Sequence, residues 1–121
     1  MQRQHAYAKL LERSRELNCG KLKKHIFLCV STKPENACCN PEISIAAWEY
    51  LKKRIKELGL EATVGRSRAD CLRLCQMGPI AVIYPEGVWY HSMTSENLEK
   101  VIQEHILSGR VVKELSFTPA N

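Results

Sequence analysis

Six cysteines stand at positions 19, 29, 38, 39, 71 and 75. Any one of them, taken alone, is most simply a small buried hydrophobe. Their grouping points elsewhere: Cys38 and Cys39 are adjacent in a polar stretch, and Cys71 and Cys75 flank a single turn. In a reducing compartment such a set argues for metal ligation or redox chemistry before structural disulfides. Dithiol exchange wants a Cys-x-x-Cys pair at a helix start, where the dipole lowers a thiol pKa, and the chain has no such spacing. Structural zinc commonly uses tight knuckles, which Cys71-x-x-x-Cys75 opposite a long polar loop matches only in part. An iron–sulfur cluster takes four thiolates and tolerates varied spacing, because two irons and two sulfides span more space than one ion. Spacing favours the cluster over zinc and leaves both open.

The elements that must bring these thiols together follow from periodicity. Tyr7, Leu10, Leu11 and Leu17, with Ser14 on the same stripe, predict an amphipathic helix over 4–17, stopped near Gly20. His25–Val30 is an apolar run of strand length, and 31–41 is a loop punctuated by Pro34, Asn36, Asn40 and Pro41. Ile45, Trp48, Leu51, Ile55 and Leu58 predict a helix over 44–58, capped by Ser44 and stopped by Gly59, with Lys52, Lys53, Lys56 and Glu57 on a solvated face. A short, weakly alternating second strand is expected over 60–65, and 66–79, which holds Cys71 and Cys75, should be mostly loop.

Ile80–Tyr84, Pro85–Gly87 and Val88–His91 read as strand, turn and strand, the clearest hairpin in the chain. Trp89 and Tyr90 then point to opposite faces. Ser95 is expected to cap a last helix with Leu98, Val101, Ile102, His105 and Ile106 on one face and Gly109 at its end, followed by a short extended tail over 111–115. The order strand, helix, strand, cysteine loop, hairpin, helix predicts an α/β sandwich of the thioredoxin-like type with an extra N-terminal helix. In that order the loop after the first strand and the loop before the hairpin leave the same end of the sheet, where the two groups of cysteines would meet.

At 121 residues the chain suits one hydrophobic core, and its 45% hydrophobic and 26% charged content is that of an ordinary globular domain. No apolar run has the length of a membrane span, and Met1–His5 is followed by charge rather than a signal-peptide core, so a cytoplasmic protein is expected. The formal charge is +5, but residues 1–24 carry Arg3, Lys9, Arg13, Arg15, Lys21, Lys23 and Lys24 against Glu12 and Glu16, which accounts for all of it. The remaining body is formally neutral, so no general nucleic-acid-binding face is indicated.

The segment from Cys71 to Tyr90, CLRLCQMGPIAVIYPEGVWY, closely resembles the signature of the thioredoxin-like [2Fe–2S] ferredoxins, a family that includes small cluster-bearing subunits of NADH dehydrogenases and hydrogenases. His25–Cys29 and the Cys38–Cys39 pair match its first ligand region, and the resemblance covers about residues 25–115. It implies one [2Fe–2S] cluster per chain, with Cys29, Cys39, Cys71 and Cys75 as ligands. Cys39 is preferred to Cys38, the alternate second ligand, because Asn40-Pro41-Glu42 follows it as the polar stretch leading into the first long helix. Gly78-Pro79 sits where a thioredoxin-like fold often has a proline before its hairpin, and Gly78 permits close backbone approach to the sulfurs.

The function so implied is a soluble one-electron carrier between a donor and an acceptor protein, as a homodimer whose interface the aromatic hairpin could supply. Neither a nucleophile–base pair nor a carboxylate dyad suggests an enzyme. The rival classes are a zinc-stabilised interaction module and a redox- or cluster-sensing regulator. Cys19 reads as a bystander at a helix end, and His25, His91 and His105 as packing or solvated residues. The chain divides into a basic helical extension over 1–24, a ferredoxin domain over 25–115 and a tail over 116–121. The extension lies outside the family core. Four thiolates and two sulfides on two ferric ions leave two negative charges, and three after reduction, so a loaded body would be negative.

Overall fold

The first apolar run forms β1, Lys24–Cys29, in a computed structural model that describes residues 2–17, 19–30, 40–70 and 77–117. β1 is an inner strand. It pairs in parallel with β2, Val64–Ala69, and antiparallel with β3, Ala81–Tyr84, which pairs antiparallel with β4, Val88–Tyr90. The sheet order is β2-β1-β3-β4. Alternation along β1 sends Ile26 and Leu28 to one face and His25, Phe27 and Cys29 to the other. On the first face Ile26, Leu28, Val30, Ala81, Ile83 and Tyr90 join Leu51, Ile55, Leu98 and Ile102 of the helices in the main core.

The long helix that links β1 to β2 is α2, Pro41–Glu57 when counted after the N-terminal α1, Gln2–Glu16. It starts three residues before the expected Ser44. The Asn40 side chain accepts a hydrogen bond from the Ile43 amide at 3.2 Å, and Pro41 takes the first turn, where a missing N–H costs nothing. Ser44 is thereby inside the helix and buried, on a stripe with Ala47, Leu51 and Ile55. Ile45 is largely exposed and Trp48 half-buried against the core. Gly59 ends the helix as expected, with φ +67°.

β2 also departs from expectation, lying over 64–69 instead of 60–65. An edge strand needs partners on one side only and tolerates charge, so Arg66 and Arg68 do not break it. Gly65 is required there: a Cβ would stand 2.5 Å from His25 Nδ1. The hairpin forms as predicted, with the Tyr84–Pro85 peptide cis. The last helix, α3, spans Ser95–Val101 and continues as a π-helical stretch over Ile102–Ile106. Its cap is Thr94 rather than Ser95, the Thr94 side chain accepting from Asn97 N at 3.3 Å. Leu98, Val101, Ile102, His105 and Ile106 are all buried, as their spacing implied. The expected extended tail is a turn over 113–115 that buries Val112 and Leu115 and brings Ser116 into a bridge with Tyr90. No described helix is long and apolar enough to cross a membrane.

α2 and α3 are clamped at Glu99. Its carboxylate accepts from Arg54 Nε at 2.8 Å and Nη2 at 3.0 Å, from the Tyr50 hydroxyl at 2.8 Å and from Gln103 Nε2 at 2.7 Å. The Arg54 hydrogen bonds come first among the causes that hold the Glu99 pKa down to about 2 from its ordinary 4.5. A depressed carboxylate stabilises the fold fully above its unfolded value and loses that contribution as pH falls through its folded value. The urea midpoint should therefore drop between about pH 4.5 and about pH 2 in the parent protein, and drop less steeply over that window in Glu99→Gln.

Candidate metal centre

Cys29 is the last residue of β1 and is 2% exposed. Both neighbouring strands hold this end of β1. The Cys29 amide donates to the Ile80 carbonyl at 2.8 Å, and the Val30 amide donates to the Ala69 carbonyl at 2.8 Å. Cys29 is in register with Ala69, so the chain leaves β1 at Val30 and β2 at Asp70 side by side. Cys29 Sγ stands 4.0 Å from the Asp70 carbonyl oxygen. The stretch that begins after Val30 carries Cys38 and Cys39, and the one that begins after Asp70 carries Cys71 and Cys75. Those four cysteines lie outside the described residues; their points of departure from the sheet lie beside Cys29.

The returning limb before β3 is firmly held. The Gly78–Pro79 peptide is cis, and Met77 takes φ +52°. The Met77 carbonyl accepts from the Ser92 amide at 2.8 Å and the Pro79 carbonyl from the Met93 amide at 2.9 Å. Asn97 Nδ2 donates to the Ser92 carbonyl at 2.8 Å, tying this limb to the start of α3. At the other margin Asn40, which follows Cys39 in the sequence, caps α2 and fixes where that helix begins.

One side of Cys29 is covered by apolar groups. Cys29 and Ile80 are buried together, and Trp89 and Phe117 pack against them. The Trp89 and Phe117 rings are 6.3 Å apart, and the Phe117 amide donates to the Trp89 carbonyl at 3.0 Å. Tyr90 faces the opposite way, fully buried in the main core, as the alternation predicted. Sequence reasoning singled out neither Ile80 nor Phe117. Extending the β1–β3 register by one residue sets Ile80 opposite Cys29, a pairing of distant segments that no local pattern displays, and Phe117 carries no periodic signal.

The donor chemistry of this end fits a soft or borderline metal centre. A thiol that is shielded on one side, with its backbone held by two strands, is suited to serve as a preorganised ligand, and the two segments that begin beside it carry the other thiols. Cys19 is exposed at the end of α1, ahead of the start of β1. The six residues of β1 put about 17 Å between that end and Cys29.

The histidines fall elsewhere. His25 stacks on Phe27 at 4.4 Å and pairs with Ser67 Oγ at 2.8 Å, and burial lowers its pKa. His105 is buried within a continuous network: the Val112 amide donates to the Tyr90 hydroxyl at 3.2 Å, which donates to His105 Nδ1 at 2.7 Å, while His105 Nε2 donates to Glu86. Lys24 pairs with the same Glu86 carboxylate at 2.8 Å. This assignment gives every member of the network a hydrogen-bond partner.

No family model matches the chain. A curated protein named "Ferredoxin, 2Fe-2S" from Clostridium pasteurianum is 34% identical over 98 residues, spanning 78% of this chain and 96% of that protein. Another of the same name, from Aquifex aeolicus, is 28% identical over 96 residues, 76% of this chain and 86% of that one. Among solved structures, a thioredoxin-like [2Fe–2S] ferredoxin from Aquifex aeolicus superposes with a TM-score of 0.74 at 27% identity, covering 83% of this chain and 94% of that one.

The shielding of Cys29 can be checked directly. Ile80→Ala should cost about 2–4 kcal/mol of unfolding free energy in guanidinium titration, the usual range for a buried large-to-small change. It should also speed alkylation of Cys29 by iodoacetamide in metal-free protein, read by peptide mass spectrometry. An unchanged Cys29 rate would mean that Ile80 does not shield it.

Proposed function

The chain belongs to the thioredoxin-like [2Fe–2S] ferredoxins, and we propose that it binds one [2Fe–2S] cluster through Cys29, Cys39, Cys71 and Cys75, with Cys38 as the alternate second ligand. The observation that carries this reading is the junction at Cys29, where both cysteine-bearing segments leave the sheet beside a buried thiol. Its activity is one-electron transfer between a donor and an acceptor protein, and catalysis belongs to those partners. Held by four thiolates at this end of the sheet, the cluster would supply a reversible one-electron change at its two irons.

The chain's own residues set the conditions for that change. Cys29 presents its sulfur from a strand end whose amide is already engaged by Ile80, so the sulfur position costs no backbone rearrangement. Ile80, Trp89 and Phe117 exclude water from one side of Cys29, which bears on the reduction potential through local dielectric and solvent access. The ferredoxin domain runs over 25–115. Residues 1–24 are an extension, and 116–121 a tail whose first residues are pinned to β4. The protein is cytoplasmic and a homodimer. Support for the dimer comes from the open face of the sheet, where Phe27 and Tyr84 make an edge-on contact at 6.2 Å, Tyr84 is largely exposed and Trp89 is half-buried.

Serine replacement tests the ligand set, because a hard hydroxyl substitutes poorly for a soft thiolate on iron. Cys29→Ser, Cys39→Ser, Cys71→Ser and Cys75→Ser should each lose or alter the visible spectrum, whereas Cys19→Ser and Cys38→Ser should leave it nearly unchanged. Parent protein prepared anaerobically should hold about two irons and about two acid-labile sulfides per chain. Loss in Cys38→Ser with retention in Cys39→Ser moves the second ligand by one residue. One zinc and no labile sulfide in iron-sufficient preparations overturns the reading.

A further inference from the structure

α1 buries none of its residues. Tyr7 is 63% and Leu10 66% exposed, and Leu11 and Leu17 are exposed as well, so the apolar stripe of this helix is not spent on the body. Beside it runs a groove lined by Leu11, Ser14, Arg15, Gly20 and Lys21. The groove pairs an apolar side chain with two cations. Arg13 is paired with Glu16 at 2.9 Å and Lys24 with Glu86 at 2.8 Å, but among the described residues neither Arg15 nor Lys21 has a carboxylate within ion-pair distance.

We propose that this groove is a docking site for an acidic protein segment, whose carboxylates meet Arg15 and Lys21 while an apolar side chain covers Leu11. The proposal rests on the electron-carrier reading for its purpose, since it names the kind of surface by which a protein partner holds the carrier. Three features support it. The formal surplus of +5 lies in residues 1–24, where α1 carries Arg3, Lys9, Arg13 and Arg15 against Glu12 and Glu16 and the following segment adds Lys21, Lys23 and Lys24, so attraction for an acidic surface is concentrated on α1 and the segment that joins it to β1. An unpaired cation beside an apolar patch gives a carboxylate-bearing segment both long-range attraction and short-range burial. Finally, the groove lies where the C-terminal end of α1 leads into the start of β1, whereas Cys29 is at the other end of that strand, so a partner seated in the groove is set apart from Cys29 by the length of β1.

A lipid surface fits less well. Tyr7, Leu10 and Leu11 are the only large apolar residues in the fifteen of α1, whereas interfacial helices present a broad apolar face. The curated relative from Clostridium pasteurianum is covered over 96% of its length while 78% of this chain is matched, so this chain carries residues beyond the shared part.

The test uses the full chain and a fluorescein-labelled helical peptide of Glu, Leu and Ala, followed by anisotropy at low and high salt. Affinity should fall about tenfold in Arg15→Glu/Lys21→Glu and weaken with salt, as expected for an ion-paired contact. Leu11→Ser should weaken binding roughly fivefold, the scale of one lost apolar contact. Lys53→Glu/Lys56→Glu, an equal charge change on exposed α2 positions, should stay within about twofold. Arg15→Gln/Lys21→Gln supplies a milder variant, and circular dichroism verifies that each is folded. Equal losses in the α1 and α2 variants, absence of peptide binding, or binding only to phosphatidylglycerol vesicles overturns the proposal. Failure of the carrier reading shows separately, as absent iron, because the binding is read on the polypeptide.

Discussion

The pairing of β1 is the constraint on which the rest depends. A strand bonded in parallel to β2 on one side and antiparallel to β3 on the other has two chain exits and one entrance at the same end. Cys29 occupies the last position of that strand, with Ile80 bonded to its amide and Ala69 in register beside it. The α2 crossover makes the parallel pair possible, and the hairpin returns the chain to β3 and β4. The cysteine-bearing segments, distant in sequence, thus depart from the most regular part of the molecule, the sheet ladder.

The two ends of that sheet are finished differently. At the end where β1 begins, Lys24 pairs with Glu86 from the hairpin turn, Glu86 receives His105, and His105 receives Tyr90. Each polar group in this chain of bonds has a partner, which locks the turn to the helical layer without leaving a buried group unsatisfied. At the Cys29 end the apolar groups Ile80, Trp89 and Phe117 cover one side of the residue, and the Asp70 carbonyl oxygen stands 4.0 Å from its sulfur. α2 and α3, with the π-helical stretch that continues α3, cover one face of the sheet through a single core, and the Arg54–Glu99 clamp holds α2 to α3. The other face keeps Phe27, Tyr84 and Trp89 near solvent.

How much could be read from residues alone varied with how local each signal is. The hairpin was legible because two apolar runs flank Pro85-Glu86-Gly87, and the buried face of α3 because its spacing is helical throughout. The start of α2 was misread because Asn40-Pro41 carries the composition of a loop while acting as a cap and a first turn. Arg66 and Arg68 hid β2, since edge strands need not be apolar, and Thr94 and Ser95 are adjacent hydroxyl residues of which only the backbone decides the cap. At the site, the place of Cys29 at a strand end and the common exit of the two loops were visible from element order. The Trp89–Phe117 shield was not, because Phe117 reaches β4 only through the turn that buries Leu115.

The most direct measurement is visible absorption with electron paramagnetic resonance of anaerobically purified full-length protein, before and after dithionite. A single [2Fe–2S] centre predicts a coloured, resonance-silent oxidised form that takes up one electron per chain and becomes paramagnetic. A colourless protein that takes up no electron and stays silent after dithionite would contradict the central claim that this chain carries electrons on a cysteine-held cluster.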